Sequence, residues 1–296
     1  MALPEIHGVI PILITPFDDR GRIDVDSLQN LVEFTIAAGV HALGIALGSE
    51  IYKFTEAERA LVIRTVIADA GGRVPIVVNT GAAATDLAVL YSRQAAEWGA
   101  GALMATPPGP GFSAAETIAY FKAISDATEL PVIIQATDAA PVPPALIRQI
   151  GEACARVAYA KVESSPQPNQ VLAAVQAGGE RVAVIGGAAG QFLLEELRRG
   201  AIGTMPWPSL PGPFVAVWDR WQTGDRAGAR ALFERQIAPI LRVPALTIGA
   251  GHQLHKEVLR RQGVIATAFV RRPSEPLDAI TLAELDEACE MVGIGR

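Results

Sequence analysis

Eight short apolar runs, separated by amphipathic stretches, restrict this chain to very few architectures. The runs are Val9 to Thr15, His41 to Leu47, Pro75 to Thr80, Gly101 to Thr106, Pro131 to Ala136, Val157 to Glu163, Val182 to Gly186 and Ala201 to Met205. Each has the length of a strand buried on both faces. Between them lie helix starts such as Asp26-Ser27-Leu28, Thr55-Glu56-Ala57-Glu58, Thr85-Asp86 and Ser113-Ala114-Ala115-Glu116. In the second and fourth of these a hydroxyl precedes a glutamate by three residues, the pattern of a capping box. Strands that alternate with helices predict parallel βαβ units. Eight units in about 205 residues suit a (β/α)8 barrel, and no G-x-G-x-x-G follows the first strand to suggest a doubly wound sheet.

Beyond Pro211 the pattern is helical only: Pro213 to Thr223, Asp225 to Arg242, Gly251 to Gln262 and Thr281 to Val292. The expected organisation is therefore a barrel domain over residues 1–212 and a C-terminal helical region over 213–296. With 296 residues and half of them apolar, the chain can bury a barrel-sized core. A net charge of −6 and a pI near 5.3 leave too little positive surface for nucleic acid or an anionic membrane to be the main partner. A small-molecule substrate fits better. Two cysteines, Cys154 and Cys289, make neither a disulfide framework nor a cysteine-based zinc site. Met1 to Ile6 shows no leader pattern and no uncharged run spans a membrane, so a cytoplasmic protein is expected.

The barrel prediction gives one residue special weight. Lys161 lies in Ala158-Tyr159-Ala160-Lys161-Val162-Glu163, inside an apolar strand. Burial favours the neutral, nucleophilic amine of a lysine, so an imine-forming role competes with a structural ion pair. Strand alternation puts Tyr159, Lys161 and Glu163 on one face. In such barrels the C-terminal strand ends carry the chemistry, which gathers Gly48-Ser49-Glu50, Asn79-Thr80-Gly81, Thr106-Pro107-Pro108, Gln135, Lys161, Glu163 and Gly186-Gly187 at one mouth. His7, His41, His252 and His255 are scattered and read as packing or surface residues, so no metal is expected. Tyr159 packs the barrel core or lends its phenol to the site.

The order Gly8-Val9-Ile10-Pro11 to Thr15-Pro16-Phe17, then Gly48-Ser49-Glu50, Lys161 and Gly186-Gly187, resembles the dihydrodipicolinate synthase and N-acetylneuraminate lyase family over nearly the whole chain. That resemblance implies an imine between Lys161 and a 2-oxo acid, no cofactor, and assembly as a homotetramer. The departures bear on the substrate. The usual Gly-Thr-Thr-Gly-Glu is Ala46-Leu47-Gly48-Ser49-Glu50 here, which removes a relay threonine. The fifth-strand tyrosine is Gln135, an amide that orients a substrate but transfers no proton at neutral pH. No tyrosine occurs in Thr106-Pro107-Pro108-Gly109, and the position of the arginine for a second carboxylate falls near Ala140. Dihydrodipicolinate synthesis itself is therefore not expected.

Lys161-Val162-Glu163 with Gln135 looks most like the 2-keto-3-deoxy-pentonate dehydratases of that family, particularly the L-2-keto-3-deoxyarabonate type. A polar residue expected in the loop after the seventh strand is missing from Gly186-Gly187-Ala188-Ala189-Gly190. The expected assignments are Lys161 and Glu163 as catalytic residues, and Gly48, Ser49, Gln135, Gly186 and Gly187 as substrate-binding residues. Dehydration of a 2-keto-3-deoxy sugar acid leads. Aldol cleavage to pyruvate and an aldehyde, and a sugar-acid-binding protein without catalysis, stand as alternatives.

Overall fold

The computed structural model describes residues 6–109, 111–245 and 248–295. Of the N-terminal stretch Met1 to Ile6, all but Ile6 lies outside the described residues. The chain divides into two compact units. The first comprises residues 1–10, 41–46 and 75–206, and contains the entire sheet.

Its strands are β1 (Gly8–Val9), β2 (Leu43–Ile45), β3 (Ile76–Asn79), β4 (Ala102–Ala105), β5 (Val132–Ala136), β6 (Val157–Val162), β7 (Ala183–Gly186) and β8 (Gly203–Thr204). All pair in parallel, in the order β1-β8-β7-β6-β5-β4-β3-β2. A hydrogen bond from the His41 N–H to the Val9 carbonyl, at 3.0 Å, joins the two ends and closes the ring. The fold is the (β/α)8 barrel expected from the alternation, followed by a C-terminal helical segment. The strands are near-continuous apolar runs because both faces are covered. Val77, Leu103, Ile133, Ile134 and Ala160 are fully buried. Helices α3 (Thr85–Trp98), α4 (Ala114–Ala127), α5 (Pro144–Ala153), α6 (Gln167–Gly178) and α7 (Leu193–Leu197) belong to the same unit, and α4 opens with the Ser113/Glu116 capping box.

The second unit comprises residues 11–40, 47–74 and 207–296. It contains α1 (Val25–Ala37), capped by Asp24, and α2 (Glu56–Ala70), which starts with the Thr55/Glu58 capping box and ends at left-handed Gly71. It continues with α8 (Pro211–Gln222), α9 (Arg226–Gln236), α10 (Ala238–Leu241), α11 (Ile248–Arg261) and α12 (Ala279–Met291). No helix among the described residues is long and apolar enough to cross a membrane.

Two elements differ from the sequence reading. The first strand pairs only over Gly8–Val9, because Pro11 has no N–H to give a ladder. The single helix expected over Asp225 to Arg242 is broken at Ile237, since Pro239 cannot donate to Arg235 and its ring clashes with that carbonyl.

Candidate active site

Lys161 is the last inward-facing residue of β6 and is 4% exposed. Its register partners are Gln135 on β5 and Ile185 on β7. Paired residues of adjacent parallel strands point to the same side, so Gln135 and Lys161 share the barrel interior. Two residues on, the Glu163 N–H is held by the Ala136 carbonyl at 2.8 Å, which keeps the strand path and returns the glutamate to the lysine's face. Lys161 Nζ and Glu163 Oε1 are 2.9 Å apart.

The orientation of this pair is set by a chain of hydrogen bonds. The Gly81 N–H donates to Asn79 Oδ1 at 3.1 Å, which obliges the Asn79 amide nitrogen to face the other way. That nitrogen donates to Gln135 Oε1 at 3.1 Å, and Gln135 Nε2 in turn donates to Glu163 Oε2 at 2.9 Å. A backbone donor therefore fixes two amide orientations in succession, and the chain ends on an acceptor. Glu163 Oε2 is thus held as that acceptor. Its Oε1 also accepts the Ala188 N–H at 3.2 Å, so lysine, glutamine and a backbone amide all converge on one group. Asn79 is 3% exposed and Gln135 2%.

Gly186 and Gly187 are required by close approach rather than by a turn type. A Cβ on Gly187 would lie 2.7 Å from both Cδ and Oε1 of Glu163. A Cβ on Gly186 would overlap the carboxylate of Glu196, a fully buried residue of α7. The turn that follows is strained. Ala188 (φ 47°) and Ala189 (φ 60°) are left-handed without being glycine, at about 1–2 kcal/mol each. That conformation aims the Ala188 amide at Glu163.

Gly48 and Ser49 belong to the second unit, in a 3-10 turn over Leu47–Ser49. A Cβ at Gly48 would meet Ile12 and the Trp207 ring at 3.0 Å. The Ser49 carbonyl accepts the Thr15 hydroxyl at 2.8 Å. Glu50 follows in a left-handed conformation (φ 60°) with its carboxylate fully buried. Lys256 Nζ meets Glu50 Oε1 at 2.6 Å and Lys53 Nζ meets Oε2 at 2.9 Å. Although burial opposes it, these cations, Lys256 foremost, hold the Glu50 pKa below the ordinary carboxylate range. Burial pushes Lys256 down to about 8 against the pull of Glu50. Lys53 is only 6% exposed in its side chain, whereas Tyr52 is exposed.

Other sequence candidates are accounted for by packing. Tyr159 is buried and its hydroxyl accepts the Ile6 N–H at 3.2 Å, which favours the core role over a role in the chemistry. His252 and His255 are buried against Trp207, and burial drives His255 down to about 3, so its ring is neutral. His7 and His41 pack edge to face at 5.3 Å. Among the described residues no group of three or more His, Cys, Asp or Glu side chains can hold a metal ion.

The sequence reading missed Glu196 and Lys256. Glu196 is the second of two adjacent glutamates in Leu193-Leu194-Glu195-Glu196-Leu197, and nothing local distinguishes it from a solvated one. The glycine at 186, with no side chain to fill the space behind β7, was the available hint.

Residues 5–291 match the model of the Dihydrodipicolinate synthetase family. The chain is 30% identical to L-2-keto-3-deoxyarabonate dehydratase of Azospirillum brasilense, over 95% of this chain and 93% of that protein. It is 33% identical to N-acetylneuraminate lyase of Citrobacter koseri over 44% and 45% of the two chains. The crystal structure of dihydrodipicolinate synthase from Rhodopseudomonas palustris superposes with a TM-score of 0.88 at 25% identity, covering 97% of each chain. Fold, chain-wide match and relatives agree: the protein belongs to the Dihydrodipicolinate synthetase family, a family of lyases.

Proposed function

We propose that the protein is a lysine-imine lyase that dehydrates a 2-keto-3-deoxy sugar acid of pentonate size. The observation that carries this reading is the Glu163 carboxylate 2.9 Å from Lys161 Nζ, locked there by Gln135 and the Ala188 amide. The Azospirillum brasilense relative, similar over nearly the whole chain, supports the choice of substrate.

In this mechanism the Lys161 amine, having passed its proton to Glu163, adds to the C2 carbonyl, and Glu163 returns that proton to the carbinolamine oxygen, which leaves as water. The iminium withdraws electrons and acidifies the C3 protons. Glu163 removes one of them, giving an enamine, and the protonated Glu163 then delivers that proton to the departing C4 hydroxyl. Water leaves and the C3–C4 double bond forms; transfer of a C5 proton to C3 gives the C4–C5 enol, which tautomerises to the aldehyde, and hydrolysis of the imine frees Lys161 and 2-oxoglutarate semialdehyde. Gln135 orients the substrate through both its donor and its acceptor. For Gly48 and Ser49 we retain the carboxylate-holding role, and for Gly186 and Gly187 close backbone approach to the substrate. The homotetramer implied by the family resemblance and the cytoplasmic setting expected from the sequence belong to the same proposal.

Aldol cleavage shares the imine and differs in where the proton goes: a base takes it from the C4 hydroxyl and the C3–C4 bond breaks. With Gln135 at the tyrosine position no fifth-strand group serves as that base. Incubation with a 2-keto-3-deoxy-pentonate and product identification tests the assignment. 2-Oxoglutarate semialdehyde is expected. Pyruvate with a two-carbon aldehyde as the main products would replace dehydratase by aldolase.

A further inference from the structure

Behind β7, the pair Gly186-Gly187 is pressed on both sides by carboxyl groups. Ile185 lines up with Lys161, and Gly186 with Val162 and Thr204. Alternation therefore turns Gly186 away from the Lys161 face and Gly187 back toward it. The steric record agrees, since a side chain at 187 would run into Glu163 and one at 186 into Glu196. Glu196 is fully buried, and neither of its carboxyl oxygens has a hydrogen-bond partner among the described residues. The Thr204 hydroxyl, on the Gly186 face of β8, is also buried without a partner.

An ionised carboxylate in such a place has only the Gly187 amide and the charge of Lys161 to set against its burial, whereas the neutral acid needs neither. Burial is the main cause that pushes the Glu196 pKa up to about 8, with Glu163 and Glu195 adding to it and the Gly187 amide and Lys161 opposing. These four groups are also the ones that feel its charge in return.

We propose that Glu196 is a positioning residue for the Lys161–Glu163 pair: as an uncharged acid it keeps negative charge away from the back of the site, and by ionising it turns imine formation down. A negative charge behind the glycines favours the ammonium over the nucleophilic amine at Lys161, and it repels the carboxylate that Glu163 must become between proton transfers. Glu196 touches no substrate and acts through the glycine pair. The proposal rests on the imine reading above and adds to it a pH-sensitive element outside the strand ends.

The test uses the full chain as wild type, Glu196→Gln and Glu195→Gln. Imine formation with pyruvate is followed by cyanoborohydride trapping and intact mass from pH 6.5 to 9.5, and each variant is read as a ratio to wild type at the same pH. Glutamine mimics the neutral acid, so the Glu196→Gln to wild-type ratio should rise through pH 8 to about tenfold at pH 9. Glu195→Gln removes a neighbouring negative charge, eases ionisation of Glu196 and should move the wild-type break to lower pH. In parallel, difference infrared spectroscopy on wild type without substrate should lose a protonated-carboxyl band between pH 7 and 9. A ratio that stays flat with pH, or a band already absent at pH 6.5, would overturn the proposal. The infrared measurement keeps the test in force if Glu196→Gln does not fold. Absence of any wild-type adduct would remove the imine reading itself, and the substrate-free infrared band tells that failure apart from ionisation of Glu196.

Discussion

Replacing Lys256 by methionine probes how the Gly48-Ser49 turn is held. Lys256 and Glu50 form a fully buried ion pair at 2.6 Å, and the lysine also donates to the Phe269 carbonyl at 2.9 Å and lies 4.4 Å above the Phe17 ring. Methionine preserves the length and volume of the stem while removing the charge. Taking one partner from a buried pair costs about 3–5 kcal/mol, because the other charge is left desolvated. Lys53 remains on the second oxygen of Glu50, which sets the expected loss near the lower end, about 3 kcal/mol. For a chain of this size that corresponds to a melting temperature lower by roughly 6–12 °C. Adding Glu50→Gln removes the stranded carboxylate and should restore roughly half the loss, so the two changes must be strongly non-additive. Calorimetry and urea titration on the four proteins of the cycle measure this. A Lys256→Met protein within about 1 kcal/mol of wild type, or additive losses in the double variant, would refute the claim that this pair carries the turn.

Glu163→Gln keeps the shape of the pair but abolishes the base, and should lower kcat by a factor of about 10² to 10⁴ in a steady-state assay while leaving the protein folded. Gly187→Ala should push Glu163 away from Lys161 and lower kcat in the same assay, because the added Cβ would overlap Glu163 from Cγ outward in a side chain that Gln135 and the Ala188 amide hold in place. Glu196 supplies a pH dependence of stability. Its folded pKa of about 8 exceeds the ordinary 4.5, so the native state holds a proton that the unfolded state has released between those values. Stability is lost as pH rises across that window, by about 3 kcal/mol at pH 7, and Glu196→Gln should recover most of it in denaturation curves taken at pH 5 and pH 7.

The part of the site that lies along strands was legible in the sequence. Period-two alternation alone puts Glu163 beside Lys161, and strand order puts Gln135 next to them, as their register confirms. The eight apolar runs gave the barrel for the same reason: strands buried on both faces need continuous apolar sequence. What stayed hidden depends on pairs far apart in the chain. Glu50 and Lys256 are 206 residues apart, and a lysine between His255 and Glu257 on a helix looks solvated until the opposite carboxylate is known. Glu195 and Glu196 are chemically identical neighbours, distinguished only by the face of a five-residue helix each occupies: Glu196 is buried and Glu195 is partly exposed. The strained alanines after Gly187 give no composition signal either, because left-handed backbone is expected at glycine or asparagine.

Every step proposed for this site requires Lys161 to form an imine with a 2-oxo acid. The direct measurement is intact mass after borohydride reduction in the presence of pyruvate or a 2-keto-3-deoxy-pentonate, on wild type and Lys161→Ala, with the adduct mapped to its peptide. One adduct per chain on the peptide containing Lys161, absent in Lys161→Ala, is the predicted result. An unmodified wild-type chain with every 2-oxo acid, or an adduct that persists in Lys161→Ala, would contradict it.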